Sequence, residues 1–125
     1  SNSVGILIQH LCGNITQYIH SSLGGQPDSR RRDQEFVTSQ RSSEELLEEL
    51  RTTIQKALEV INNCPQKELL RFRNVQGFQL SGMGIIIHVV EHLSYHTGQI
   101  AFWTKNLKNQ DLGFYEGMDL NMKND

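Results

Sequence analysis

Apolar residues at the start of the chain recur with the period of an amphipathic helix. Successive apolar positions are separated by three, one, three, four, three and one residues. They are Val4, Leu7, Ile8, Leu11, Ile15, Tyr18 and Ile19. Gly24, Gly25 and then Pro27 follow, a combination that typically ends a helix. The pattern therefore predicts a first helix over about residues 4–22.

A long polar connection leads to a second helical pattern. Residues 24–42 show neither a helical nor a strand period, so we expect a loop. A loop of this length is unusual in a compact domain and is often functional. Ser42 stands three residues before Glu45, which is the spacing of a capping box. The apolar stripe that follows predicts a helix over about residues 43–63, ending before Pro65.

A third helical pattern occupies the second half of the chain. Residues 66–80 alternate only in part, which is compatible with a short hairpin or an irregular strap. An apolar stripe then predicts a helix over about residues 82–108. We expect one all-α domain over residues 1–125, with the helices arranged as an up-down bundle. Such a bundle usually has four helices, so a further helix or a partner chain would complete it.

Composition narrows the classes of function. The net charge of −2 and the pI of about 6.2 argue against a nucleic-acid-binding surface, which is normally strongly basic. No apolar run approaches the roughly 18 residues that a membrane span needs. The two cysteines, Cys12 and Cys64, are isolated and suit a reducing compartment. We therefore expect a cytoplasmic protein that binds neither nucleic acid nor a membrane.

Three of the five histidines lie in the third predicted helix, four residues apart, as His88, His92 and His96. On a helical wheel His92 and His96 face the apolar side, whereas His88 lies at its border. Side chains four apart are roughly 5–6 Å apart at Cβ, which suits a shared metal ion. His88 and His96 are separated by about 12 Å of helix rise, so one ion cannot bind all three. The wheel favours His92 and His96 as the pair.

A third ligand would have to come from another helix, and His10 is the natural candidate. It lies at the margin of the first apolar stripe. His20 falls on the far side of that helix, so we expect it to be solvated or local to the turn. Three protein ligands with an open position are typical of a catalytic metal site. The alternative is that these histidines are buried polar residues that bind no metal.

The predicted loop contains a basic run, Arg30-Arg31-Arg32, which we expect to be a solvated surface. In the alternative interpretation, Arg32 and Asp33 fold back near the histidines. There Arg32 could hold an anionic substrate.

Four further side chains are weaker candidates for a role at the site. Tyr95 could line a substrate pocket, and His88 could shuttle a proton. Asn14 and Gln99 lie one turn from His10 and His96 and could hydrogen-bond to ligand histidines. For Asn14 and Gln99 we favour ordinary roles, in helix packing and at the rim of the apolar stripe.

Four segments together carry a family resemblance: HLCGNITQYI, RRRDQEF, HVVEHLSYHTGQI and DLGFY. In this order they resemble a branch of the DinB-like, YfiT-like helical-bundle superfamily over about residues 3–115. The resemblance implies a four-helix bundle with a divalent metal held by one histidine on the second family helix and an HxxxH pair on the fourth. Those positions correspond to His10, His92 and His96. Zinc or nickel would be the metal, with iron and copper as further options.

The resemblance also implies a range of functions. Characterised relatives include transferases that act on low-molecular-weight thiols, together with isomerases and hydrolase-like proteins. The rival interpretation is a non-enzymatic bundle with a structural metal, acting in stress response or as an interaction module. The first family helix has no counterpart in this chain, and the apolar surface left uncovered favours a homodimer.

Overall fold

A computed structural model describes residues 2–37, 40–108, 113 and 115–125, and the helices dominate it. Three residues of the DLGFY segment, at positions 111, 112 and 114, lie outside this described part. The elements in chain order are α1 (Asn2–Ile15), a π-helical segment (Thr16–Leu23), a 3-10 segment (Arg32–Phe36), α2 (Ser43–Asn62), α3 (Gln66–Leu70), β1 (Phe72–Val75), β2 (Phe78–Ser81) and α4 (Gly82–Lys108).

Local sequence signals set the helix ends. The Ser42 side chain accepts a hydrogen bond of 3.1 Å from the backbone N–H of Glu45, which confirms the predicted cap of α2. At the end of the π-helical segment, Gly25 adopts a φ of 80°, a left-handed conformation that glycine enters without steric cost. The predicted boundaries of α2 and α4 agree with the structure to within one residue.

The ambiguous stretch over residues 66–80 begins with the short helix α3, which was not expected. The rest forms the expected alternative of a hairpin, with Val75 paired to Phe78 across the turn. Both turn residues, Gln76 and Gly77, have positive φ values, 53° and 87°. This is the type I′ geometry that matches the twist of a tight hairpin. The fold is therefore mostly helical with a small sheet, and the all-α expectation is wrong in this detail.

The core lies where α1 and its π-helical continuation pack against the other elements. α1 contacts both α2 and α4, and the π-helical segment also contacts both of them. The main buried cluster draws on all of these elements and on the hairpin. Its members are Ile15, Tyr18, Ile19, Leu23, Ala57, Val75, Ile85 and Val89. Burial of this shared apolar surface fixes α1 and α4 side by side.

The π-helical segment explains why the expectation for His20 is wrong. The side chain is buried, and its Nε2 lies 3.0 Å from the backbone oxygen of Thr53 on α2. A π-helix has more residues in each turn than an α-helix. A wheel drawn with α-helical spacing therefore misplaces side chains beyond Ile15, and His20 turns inward rather than towards solvent.

Two further expectations can be compared with the described residues. Within them, no helix combines the length and the apolar character that crossing a bilayer requires. Cys12 and Cys64 are both free thiols, and Cys12 is buried. Burial raises the pKa of the Cys12 thiol to about 11, so it is a poor nucleophile.

Substitution of Ile85 tests the position of the core. Ile85 is fully buried on α4, whereas Ile87 two residues later is 54% exposed. We expect Ile85→Ala to lower the free energy of unfolding by about 2–5 kcal/mol, because it leaves a cavity. Ile87→Ala should cost less than about 1 kcal/mol in the same chemical denaturation experiment. Equal losses in the two variants would contradict this packing.

Candidate metal centre

Three histidines from two helices converge at the contact between α1 and α4. His10 is buried on α1, and His92 and His96 are half-buried one turn apart on α4. One potential ligand nitrogen from each ring can be chosen so that all three lie within 4.8 Å of one another. The closest pair is Nε2 of His10 and Nε2 of His92, at 3.0 Å. The structure thus brings together the three histidines predicted from the sequence.

The spacing of these nitrogens fits a divalent transition metal. Imidazole nitrogens about 2.1 Å from an ion lie about 3.0 Å apart at a right angle and about 3.4 Å apart at the tetrahedral angle. Small side-chain rotations would therefore bring the three nitrogens to a common ion. Within the described residues, no other histidine, cysteine, aspartate or glutamate joins the group. Three protein ligands would leave at least one coordination position for water or substrate.

A buried ion pair from the loop orients His10. Glu35, in the 3-10 segment, lies with Oε1 3.0 Å from Nδ1 of His10. Both carboxylate oxygens of Glu35 also accept hydrogen bonds from Arg30, at 2.8 and 2.9 Å. A carboxylate only accepts, so Nδ1 of His10 carries the proton and Nε2 keeps a free lone pair. A carboxylate behind a ligand histidine is a common arrangement in metal centres, where it fixes the tautomer.

Gly13 makes this approach possible. It lies on α1, one turn after Gln9, where the 3-10 segment crosses the helix. A Cβ at position 13 would overlap the Glu35 carboxylate and crowd the Arg30 guanidinium. The side-chain amide of Gln9 donates to the backbone oxygen of Glu35 at 3.0 Å and holds the segment against the helix.

His96 is oriented in the same way by its own helix. Its Nδ1 lies 2.6 Å from Oε1 of Gln99. Because the amide oxygen accepts, Nδ1 of His96 carries the proton and Nε2 is free to bind an ion. The expectation that Gln99 is only a rim residue is therefore wrong, and its side chain holds a candidate ligand.

The site favours the neutral forms of His10 and His92. Desolvation, together with the neighbouring imidazoles of His10 and His96, lowers the pKa of His92 to about 4. Desolvation also lowers the pKa of His10, although the Glu35 carboxylate opposes the change. Metal ligation needs unprotonated nitrogen, so both shifts favour binding near neutral pH.

His88 lies next to the three histidines but has a different environment. Its ring stacks on the buried ring of Tyr18, with centroids 4.4 Å apart and planes within 2°. The His88 centroid is 6.2 Å from that of His92. The Tyr18 hydroxyl donates a hydrogen bond of 2.7 Å to Gln76 in the hairpin turn. His88 therefore lies beside His92 but outside the group of three histidines, and its role as a proton shuttle stays a prediction.

The two candidate substrate-binding residues lie at the exposed rim. The Tyr95 ring, which is mostly exposed, is 5.2 Å from that of His96. The guanidinium of Arg32 lies 5.1 Å from the centre of the Phe36 ring, and that ring is 5.3 Å from His10. Their role in substrate binding stays a prediction.

The loop approaches His10 through two residues that the sequence did not single out for this role, Arg30 and Glu35. The side chain of Arg30 is only 4% exposed, so the expectation that the basic run is solvated is wrong for this arginine. Asp33 is exposed, and the buried acidic residue is Glu35. The sequence did contain a signal for the buried pair. Glu35 follows Arg30 by five residues and stands directly before the aromatic Phe36 in a polar loop.

Comparison with known proteins gives a family and no function. The model of the family described as "Protein of unknown function (DUF1572)" matches residues 1–115. The chain belongs to the DUF1572 family. No curated protein and no solved structure matches the chain significantly. The matched range spans the positions of all three histidines and of Arg30 and Glu35.

The stability of the metal-free DUF1572 chain should depend on the charge of His92. Its native pKa of about 4 lies below the usual 6.5, so the unfolded state binds more protons between these values. Stability from the neutral ring is then present above about pH 6.5 and lost as the pH falls towards about 4. Between pH 7 and pH 4.5, the free energy of unfolding should fall less in His92→Asn than in the parent chain, by on the order of 1 kcal/mol. Denaturation at a series of pH values measures this difference. An unchanged pH dependence would contradict the burial of His92.

Substitution of Gly13 should disconnect Glu35 from His10. The Cβ of Gly13→Ala would displace the Glu35 carboxylate, although alanine itself favours the helix. We expect zinc affinity to fall about 10- to 100-fold, as for loss of a residue that orients a metal ligand. Gly98→Ala is the matched control, because a Cβ there meets open space. Equal zinc affinities in Gly13→Ala, Gly98→Ala and the parent chain would contradict this role.

Proposed function

We propose that this chain binds one divalent metal ion through His10, His92 and His96 and uses the open coordination position for chemistry on a small molecule. The observation that carries the proposal is the convergence of three potential ligand nitrogens within 4.8 Å, with no fourth protein ligand among the described residues. The orientation of His10 and His96 by acceptors at Nδ1 supports it, because both rings then present Nε2 to the same point.

We further propose that the chain has the DinB-like bundle fold. The support is the order of its motifs and the positions of the histidines, one on α1 and an HxxxH pair on α4. In this arrangement α1, α2 and α4 are three helices of an up-down four-helix bundle. The remaining wall would come from a further helix or from a second copy in a homodimer.

Thiol transfer is the reaction class that we favour, with metal-assisted hydrolysis as the next option. A bound zinc or nickel ion would lower the pKa of a thiol or water in its open position. His10 would be held in place by Glu35 and His96 by Gln99, so that neither ring needs to reorient during the reaction. His88 would accept or donate a proton beside the group.

The rim suggests how a substrate would be bound. Arg32 carries an exposed positive charge near His10, which suits a carboxylate on a low-molecular-weight thiol. Tyr95 offers an exposed ring near His96 against which an apolar part could pack.

A structural metal is the second candidate, and one observation favours it. The three histidines join α1 to α4, so an ion bound there would tie two helices together. Such a protein would act in stress response or as an interaction module. A fourth, non-exchangeable ligand would be expected in that case, whereas an enzyme needs an exchangeable water.

Metal content tests the proposal. The chain would be purified without a nickel column, and bound metals would be measured by mass spectrometry. We expect close to one zinc or nickel ion per chain, because one potential ligand nitrogen from each of three imidazoles converges here. His96→Ala should lose the ion, since it removes one of three ligands.

His88→Gln is the matched control, because this α4 histidine lies outside the group. The His88→Gln variant should retain the metal and should catalyse any thiol-transfer reaction more slowly than the parent chain. Absence of metal from the parent chain, with none taken up on titration while the fold is intact, would contradict the proposal.

A further inference from the structure

One of the three candidate ligands lacks the support that the other two have. Nδ1 of His10 donates to Glu35, and Nδ1 of His96 donates to Gln99. Nδ1 of His92 is buried and has no hydrogen-bond partner among the residues that the structure describes. Leaving a buried polar atom without a partner costs roughly 1–3 kcal/mol, so such atoms call for an explanation.

Asn14 carries a second buried atom of this kind. The side chain is 3% exposed on α1, and within the described part of the chain its Oδ1 has no hydrogen-bond partner. Asn14 follows His10 by one turn, so both side chains lie on the same face of α1. An amide oxygen is a hydrogen-bond acceptor only, and it therefore needs an N–H or O–H group nearby.

The contacts between α1 and α4 indicate that Asn14 and His92 lie close together along the interface of the two helices. His10 contacts His92, whereas Tyr18, eight residues further on, stacks on His88. The two helices are therefore antiparallel along this interface. Asn14 lies midway between His10 and Tyr18, and so it lies beside the turn of α4 that runs from His88 to His92.

Tautomers explain why the two atoms are unpaired without a metal. Nε2 of His10 is an acceptor, because its Nδ1 carries the proton. The 3.0 Å contact between the two Nε2 atoms then requires His92 to donate from Nε2. In that tautomer Nδ1 of His92 is an acceptor, and an acceptor cannot bond to Oδ1 of Asn14.

We propose that Asn14 is a positioning residue of the metal centre, whose Oδ1 accepts the Nδ1–H of His92 when Nε2 of His92 binds a divalent ion. The proposal rests on the proposed metal function. The proton on Nε2 of His92 is lost to solvent as the ion binds, and a proton from solvent occupies Nδ1. This exchange turns the unpaired acceptor into a donor that matches Asn14.

In the complete centre, the Nδ1–H of each ligand histidine then donates to one acceptor. Glu35 supports His10, Gln99 supports His96, and Asn14 supports His92. The three acceptors come from the loop, from α4 and from α1, so each ligand ring is held by a different element. Residues that orient metal ligands in this way typically change metal affinity about 10- to 100-fold when they are replaced.

Two substitutions separate this role from simple packing. Asn14→Leu keeps the approximate volume but removes the acceptor, and Asn14→Asp keeps an acceptor at the same position. Zinc affinity would be measured on the full chain by competition with a chromophoric chelator. We expect Asn14→Leu to bind zinc about 10- to 100-fold more weakly, and Asn14→Asp to bind within about threefold of the parent chain.

A second readout follows the proton directly. Nitrogen NMR of the histidine side chains should show His92 protonated at Nε2 without metal and at Nδ1 with zinc. Thermal unfolding of the metal-free chains would show that Asn14→Leu is folded. Thr53→Val is the control for replacing a buried polar side chain elsewhere, and it should leave zinc affinity unchanged.

The outcomes distinguish this proposal from the one on which it rests. If the parent chain and Asn14→Leu bind zinc equally, the role of Asn14 is refuted and the three-histidine site stands. Equal weakening in Asn14→Leu and Asn14→Asp would also refute it, because packing alone would explain both. If the parent chain binds no zinc, both proposals fail.

Discussion

The buried carboxylate of Glu35 is the interaction on which the site depends. It lies between the Arg30 guanidinium and the His10 imidazole, and it accepts hydrogen bonds from both. A buried carboxylate is stable only when it is paired, so the loop that carries Arg30 and Glu35 is tied to α1. The same contact sets the tautomer of His10. One ion pair thus links the conformation of the long loop to the direction in which a candidate ligand presents its lone pair.

The second constraint is the antiparallel packing of α1 against α4. It brings His10 to the level of His92 and His96 and brings Tyr18 to the level of His88. The apolar core beyond Ile15 holds the two helices at this register. Desolvation at this interface lowers the pKa of His10 and of His92, and a neutral imidazole is the form that would bind a metal. The core and the site are therefore two parts of one helix interface.

The sequence predicted much of this arrangement because the helices are long and strongly periodic. The cap at Ser42, the extent of α4 and the pairing of His92 with His96 follow from spacing along an α-helix. The grouping of His10 with that pair came from its place beside the first apolar stripe and from the family resemblance, and the structure brings the three together. The π-helical segment could not be anticipated in the same way. It changes the number of residues per turn, and with it the direction of His20.

The residues that orient the ligands were harder to predict. Glu35 reaches His10 through a loop, and no periodicity relates positions 10 and 35 along the chain. The role of Gly13 depends on that loop crossing the helix at one point. Gln99 lies within one turn of His96, but spacing alone did not distinguish a ligand-orienting amide from a rim residue. Long-range polar contacts of this kind depend on the folded loop, whereas the amphipathic pattern is local.

X-ray absorption spectroscopy of the zinc-loaded chain is the most direct test of the central claim. The account predicts scattering from three imidazole rings at about 2.0–2.1 Å, together with at least one oxygen from water, and no sulfur. A closed shell of four protein ligands, or a shell with fewer than three imidazoles, would contradict an open three-histidine centre.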